Sequence, residues 1–302
     1  MSVELGPLTA GGKPVKELHL NAYAKVNLTL DVVAPRSDGY HDIESVMHTI
    51  ALHDSITLRE AGAGVELIVQ DGAVPHDTRN LVVRTAEVLR EAFGIDRAVQ
   101  IDLVKRIPIA AGLGGGSSDA AVTLLGLVQL WKLRLDGREL LGLATKLGAD
   151  VPFFLEGGAA IARGRGERLT LLPPLPTTWV VLARPQVEVA TAWAYRQLSA
   201  AGNATRPQTG LMIEAVRRED VRETGRHLCN IFEEVIATAH PVVRDLKARI
   251  LRGEAYGAGM SGTGPTVFGL MANEAAARKV ADELRAIPDV EVHVSRTFAE
   301  TR

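Results

Sequence analysis

Pro108-Ile109-Ala110-Ala111-Gly112-Leu113-Gly114-Gly115-Gly116-Ser117-Ser118-Asp119 is the stretch on which the reading of this chain turns. It is a proline-led, glycine-dense loop that runs directly into an apolar segment, Ala120–Trp131, expected to be a deeply buried helix. The glycines leave little side-chain bulk, so a ligand can approach the main chain closely. Ser117, Ser118 and Asp119 are N-cap residue types standing where that helix should begin. A helix N-terminus offers unpaired N–H groups and the positive end of the helix dipole, which together suit a phosphate. The loop therefore reads as a cradle for a nucleoside triphosphate.

Other phosphate motifs do not fit. No lysine follows the glycines, so this is not the G-x-x-x-x-G-K-[ST] loop of P-loop NTPases. The protein-kinase signatures H-R-D-L and D-F-G are absent. Gly257, Gly259 and Gly262 match G-x-G-x-x-G, but Thr266–Leu270 follows and reads as a strand where a dinucleotide-binding motif requires a helix. A flexible connector is the plain alternative for the Gly112–Gly116 loop, though such linkers rarely lie between a β-branched strand and a capped helix.

The chain has 302 residues, enough for one large domain or two ordinary ones. A net charge of −2 carries no polybasic signature and argues against nucleic acid as the main partner. One cysteine, Cys229, allows no internal disulfide and fits a reducing compartment. Residues 1–17 lack the apolar run of a signal peptide and read as a loose tail, and no apolar run approaches a membrane span. A cytoplasmic enzyme, monomeric or weakly dimeric and without nucleic-acid or membrane partners, is the simplest expectation.

Leu18 to Val32 alternates with hardly a break, the even positions apolar and the odd ones polar, which is the period of a half-buried strand. Pro35–Gly39 marks a turn, and further strands are expected at Ile56–Leu58, Val65–Val69 and Val99–Val104. Asn80–Phe93 reads as a helix. Asp136 with Glu139 opens another as a capping box, and Gly148 ends it. Pro173-Pro174-Leu175-Pro176 is a stiff extended segment and the expected boundary between an N-terminal lobe, 18–172, and a C-terminal lobe, 173–302. Strands and helices alternate irregularly beyond it, at Trp179–Ala183, Ala190–Ala200, His240–Leu251, Thr266–Met271, Glu274–Ile287 and Val290–Val294, a pattern of the α+β class.

Pro108–Ser118 resembles the phosphate loop of the GHMP kinases, which bind ATP through a helix-capping glycine loop. Four further blocks extend the resemblance: Ala24–Leu28, Arg36–His41, Leu147–Phe154 and Met260–Phe268. The similarity runs from about Leu18 to the C-terminus. It implies an α+β, two-lobed fold, with an S5-like N-terminal lobe, a ferredoxin-like C-terminal lobe and the active site between them.

Phosphoryl transfer to an alcohol requires that the phosphates be held, that charge be offset and that the hydroxyl lose its proton. By resemblance the loop residues Pro108–Ser118 bind ATP, Lys25 and Asp150 are catalytic, and Asp150 is the general base. From the residues alone, Lys25 reads equally as a solvated lysine on an exposed sheet face, and Asp150 as the N-cap of a short turn. Asn27 shares the Lys25 face and suits a substrate hydroxyl, or a cross-strand polar pair. The resemblance places Tyr40, His41 and Tyr195 around a cytosine, although stacking does not by itself select that base. It places Gly262, Thr263 and Gly264 over phosphates and substrate, and Asn80 and Lys105 near the adenosine. Asn80 reads equally as a helix cap, Lys105 as a solvated strand end and Gly262–Gly264 as a tight turn. Mg²⁺ is expected with ATP, its ligands unassigned, with Ser118 a candidate by analogy. His227-Leu228-Cys229-Asn230 has no metal-ligand logic.

The resemblance thus implies an ATP-dependent kinase acting on the 2-hydroxyl of a cytidine-diphosphate-linked methylerythritol, in the non-mevalonate route to isoprenoid precursors. Two alternatives stand beside it: a kinase of another small alcohol, of the homoserine or mevalonate type, and a catalytically silent nucleotide-binding regulator on the same fold.

Overall fold

The computed structural model describes residues 17–60, 63–70, 74–202 and 204–299; the expected tail, residues 1–16, lies outside them, and Glu17 already belongs to the first strand. Two sheets organise the chain. The first is built from β1 (Glu17–Pro35), β2 (His41–Arg59), β3 (Val65–Val69), β4 (Val99–Val104), β5 (Ala159–Gly164) and β6 (Arg168–Leu172). Its order is β3-β4-β2-β1, with β5 also pairing β2 and β6 pairing β5. Four helices follow the chain through this half: α1 (Leu81–Phe93), α2 (Gly115–Leu130), α3 (Gly137–Leu147) and α4 (Val151–Glu156).

The second sheet holds β7 (Trp179–Pro185), then, after α5 (Thr191–Ala201), α6 (Thr209–Arg217), α7 (Val221–Arg226), β8 (Cys229–Asn230), α8 (Glu233–Ala239) and α9 (Pro241–Arg252), β9 (Ala255–Met260) and β10 (Val267–Met271), and finally α10 (Glu274–Arg285) and β11 (Val290–Arg296). Its antiparallel order is β11-β7-β10-β9, the arrangement of a ferredoxin-like sheet. The expected α+β fold is the one observed. β8 leaves this half to pair in parallel with β1, Thr29 opposite Cys229 and Leu30 opposite Asn230, so the later half of the chain completes the first sheet.

Three cores explain the burial. One lies between the first sheet and its helices, with Leu20, Leu58, Ile101, Leu127 and Phe153. A second packs α8, α9 and α10 on the second sheet, with Val181, Phe232, Leu246 and Val280. The third fills the space between the sheets, with Val26, Leu28, Ile50, Leu182 and Phe268. The centre of β1 is therefore covered on both faces. Its even residues divide accordingly: Leu18, Leu20 and Ala22 join the first core, whereas Ala24, Val26 and Leu28 join the third, across a register shift between Tyr23 and Ala24. Such an irregularity re-aims the side chains that follow it.

Gly257 and Gly259 lie inside strand β9, in keeping with the rejection of the dinucleotide motif. A Cβ on Gly257 would fall 1.9 Å from the Gly225 carbonyl oxygen, so the glycine allows α7 to approach the sheet. The helix after the glycine loop begins earlier than its cap-type residues suggest. α2 starts at Gly115 with Gly114 as N-cap, and Ser117, Ser118 and Asp119 lie within its first turns. Tertiary partners hold them there: the Ser118 hydroxyl donates to the Tyr23 carbonyl at 2.7 Å, and Asp119 pairs with Lys105. The Asp136–Glu139 capping box is present as expected.

Candidate active site

The glycine loop reaches its conformation by alternating handedness. Ala110, Gly112 and Gly114 have φ of +52°, +76° and +72°. Alternation of this kind turns successive N–H groups into one concavity that suits an anion. At its end the N-cap Gly114 supplies no side-chain acceptor, so the first N–H groups of α2 keep no side-chain cap. Bulk is excluded from outside as well. A Cβ on Gly112 would stand 2.1 Å from the Ser261 carbonyl oxygen, and one on Gly114 2.6 Å from the Phe154 ring.

Lys25 departs from the solvated lysine of the sequence reading. It is 3% exposed, because helices cover one side of its strand and the second sheet covers the other. Its Nζ donates to Asn27 Oδ1 at 2.6 Å and to the Gly112 carbonyl at 3.0 Å, and stands 4.0 Å from Asp150 Oδ2. Burial pushes the Lys25 ammonium below its ordinary pKa, opposed by the Asp150 charge. Burial prevails because an ion loses several kcal/mol of hydration inside a protein, while a single pair at this distance returns about 4 kcal/mol at an effective dielectric constant near 20.

Asp150 occupies the N-cap position of α4, yet its side chain makes no capping bond. The carboxylate is about a third exposed and faces Lys25. Asn27 is committed within the protein: Oδ1 also accepts the Gly262 N–H at 2.8 Å, and Nδ2 donates to Ser45 Oγ at 2.8 Å. Its amide welds β1 to the Gly262–Gly264 loop. Ser261 Oγ, donating to the Gly112 carbonyl at 2.8 Å, joins that loop to the glycine-rich one.

Residues that sequence reasoning missed support the same loops. Asn230 Nδ2 donates to the Met260 and Gly262 carbonyls at 2.8 and 2.7 Å. Thr191 and Thr263 hydroxyls meet at 3.3 Å, tying the start of α5 to Thr263. Arg184 holds the Ile109 carbonyl at 3.2 Å. Asp54, fully buried, accepts the Ile107 N–H at 2.8 Å and pairs with Lys105 at the entry to the glycine loop. A lone aspartate in a β-strand carries no sequence signal for this task.

Lys105 is neither solvated nor free. Its ammonium bridges Asp54 and Asp119, with Asp119 Oδ2 at 2.7 Å. Burial alone would lower the Lys105 pKa, but the two carboxylates outweigh it and leave it raised. Burial pushes the Asp119 carboxyl up against the pull of Lys105. Asn80 caps α1, Oδ1 accepting the Val82 N–H at 3.0 Å. Its helix reaches the loop region through Leu81, which lies 4.0 Å from the Cβ position of Gly116.

His41, Tyr195 and Phe232 form an aromatic group. The His41 and Tyr195 rings lie 4.8 Å apart, and Tyr195 meets Phe232 edge-on at 4.8 Å. Burial raises the Tyr195 pKa, and the Asp150 charge adds to it. His41 and Tyr195 line a cavity of about 380 Å³ with Val32, Ser199, Arg206 and Ile231. Tyr40 is exposed beside it, with the Arg165 guanidinium 5.0 Å from its ring centre. No cluster of three or more His, Cys, Asp or Glu able to hold a metal occurs among the described residues. No described helix is long and apolar enough to cross a membrane.

A glycine loop whose shape suits an anion, a buried ammonium facing a carboxylate and an aromatic cavity are together able to serve phosphoryl transfer to a small molecule. Comparisons with known proteins agree. The family model described as "GHMP kinases N terminal domain" matches residues 80–158, and that described as "GHMP kinases C terminal" matches residues 212–289. The 4-diphosphocytidyl-2-C-methyl-D-erythritol kinase of Alkaliphilus metalliredigens is 43% identical over 95% of this chain and 99% of its own. A crystal structure of 4-(cytidine 5'-diphospho)-2C-methyl-D-erythritol kinase superposes with a TM-score of 0.78 at 34% identity, covering 93% of this chain and 100% of that one. A homoserine kinase from Cytophaga hutchinsonii, at 24% identity and a TM-score of 0.71 over 95% of this chain and 96% of that one, shares the fold. The chain belongs to the GHMP kinases, ATP-dependent kinases of small molecules, and within them to the family of 4-diphosphocytidyl-2-C-methyl-D-erythritol kinases.

Proposed function

We propose that this enzyme transfers the γ-phosphoryl group of ATP to the 2-hydroxyl of 4-diphosphocytidyl-2-C-methyl-D-erythritol, releasing ADP, in the non-mevalonate route to isoprenoid precursors. The observation that carries the reading is the Lys25–Asp150 pair, 4.0 Å apart, with the same Lys25 ammonium bonded to the glycine loop at Gly112. One group thereby touches both the phosphate cradle and the candidate base. As the acceptor oxygen bonds to phosphorus, its proton passes to the Asp150 carboxylate and the bond to the ADP oxygen breaks. Lys25 offsets charge on the transferring group. The loop residues Pro108–Ser118 hold the triphosphate, and Tyr40, His41 and Tyr195 receive the cytosine.

Gly262, Thr263 and Gly264 close over the reacting groups, positioned by Asn27 and Asn230. Lys105 and Asn80 border the nucleotide through their placement, since their side chains are already engaged. Mg²⁺ enters with the ATP phosphates, whose chemistry suits that ion. Ser118 remains a candidate ligand by analogy: its hydroxyl gives its proton to the Tyr23 carbonyl and keeps its oxygen lone pairs. On this reading the enzyme works in the cytoplasm as a monomer or weak homodimer. ³¹P NMR of a reaction with ATP and the cytidylyl acceptor tests the proposal: a new phosphomonoester coupled to C2 of the erythritol supports it, and phosphorylation at another position overturns it.

A further inference from the structure

The turn between β5 and β6, Arg165–Glu167, belongs to none of the motifs used above, yet it borders both ends of the site. At Gly166, φ is +128° and a Cβ would stand 3.3 Å from Asp150 Oδ1. Beside it, the half-buried Arg165 lays its guanidinium over the Tyr40 ring. One residue therefore meets an aromatic of the nucleobase side while its neighbour meets the carboxylate of the reacting side.

The acceptor named above carries a diphosphate between its base and its reacting alcohol. That dianion needs a cation somewhere between the two ends. Arg36 is engaged by Asp38 and Asp42 at 3.0 and 2.9 Å. Arg206, on the cavity wall, is engaged by both carboxylate oxygens of Asp31 at 3.1 Å. Arg165 forms no ion pair among the described residues. Its charge helps hold the Asp38 carboxyl below its ordinary pKa, but only after the larger effects of the Arg36 hydrogen bond, the Tyr40 N–H and the Arg36 charge. Its own N–H is anchored on Glu167 Oε2 at 2.7 Å, which fixes the turn. A guanidinium suits a diphosphate because its planar fork donates two parallel hydrogen bonds.

We propose that Arg165 is a substrate-binding residue that receives the diphosphate of the acceptor, presented there by stacking on Tyr40. This rests on the acceptor assignment made above. The test is calorimetric titration of CDP and of cytidine, with ADP saturating the ATP side, into the wild type, Arg165→Leu and Arg165→Lys. The wild type should bind CDP more tightly than cytidine. Arg165→Leu should weaken CDP about ten- to a hundredfold, the range of a charge-assisted contact, and cytidine less than twofold, with ADP binding unchanged. Arg165→Lys should recover part of the loss. Equal weakening of CDP and cytidine would reduce Arg165 to a prop for Tyr40, and no weakening of either would remove it from the site; both overturn the proposal and leave the acceptor assignment standing. Absence of any CDP or cytidine binding to the wild type would overturn the acceptor assignment itself, and this proposal with it.

Discussion

Lys25 Nζ, buried at the centre of β1, and Asp150 Oδ2, at the open start of α4, stand 4.0 Å apart. The pair is asymmetric. Lys25 is pinned by Asn27 and Gly112, while Asp150 keeps its carboxylate clear of the capping bond its position invites. A carboxylate held beside a cation and left unbonded can take a proton from an alcohol.

Asp150→Asn keeps the shape of the side chain and removes its basicity. The expected result is a fall in kcat of about 10²- to 10⁴-fold, the usual contribution of a positioned base, with ATP affinity nearly unchanged. Steady-state kinetics with a separate nucleotide titration would check it. A kcat within a few fold of wild type would take Asp150 out of the proton transfer.

Gly112→Ala forces a methyl to within 2.1 Å of the Ser261 carbonyl oxygen, backbone against backbone, at a φ of +76°. Neither loop can yield by rotating a side chain. The variant should lose roughly 1–3 kcal/mol of stability and raise the KM for ATP, because the glycine loop and the Ser261–Gly264 loop must part. Urea denaturation and ATP kinetics report the two effects; unchanged values in both would mean that the loops do not interlock.

Much of this was legible in the residues. The glycine loop, the capping box at Asp136, the strand centred on β1 and the strand after Gly262 all announce themselves through local chemistry. The second layer over β1 does not, because alternation reports the two faces of a strand and not what covers them. Lys25 reads as solvated although the glycine loop and the start of α4 cover its face of the strand. β5 was missed since Ala159, Ala160 and Ala162 lack β-branched character, and only pairing with β2 makes them a strand. Two-residue β8 is defined wholly by its partner, Thr29–Leu30 of β1. The roles of Asn230, Asp54 and Arg165 depend on residues far away in the sequence. Ser117–Asp119 misled as caps because Tyr23 and Lys105, also distant, draw two of them inward.

Lys105→Met separates a structural cation from a nucleotide contact. It leaves Asp54 and Asp119 buried without their ammonium, a change that commonly costs about 3–5 kcal/mol. The expected outcome is a large drop in the urea midpoint. A raised KM for ATP at unaltered stability would contradict the ion-pair assignment.

His48 predicts a stability slope with pH. Its ring is buried, Nε2 accepting the Leu175 N–H at 3.0 Å and Nδ1 lying 2.7 Å from the Thr49 carbonyl. Burial lowers its pKa to about 4 from 6.5, partly offset by the bond to Thr49. The unfolded chain thus takes up this proton near pH 6.5 and the folded one only near pH 4. The stability contribution is whole above the unfolded value and lost as pH falls through this window, about 3 kcal/mol in all. Denaturation from pH 7.5 to 4 should show the loss in the wild type and a shallower slope in His48→Gln; equal slopes would assign the acid sensitivity elsewhere.

The most direct test of the central claim is ADP release by the purified enzyme with Mg²⁺-ATP against four acceptors: 4-diphosphocytidyl-2-C-methyl-D-erythritol, homoserine, mevalonate and galactose. Turnover with the first alone is the predicted result. Turnover with another of the four, or ATP binding without turnover of any, would contradict the account.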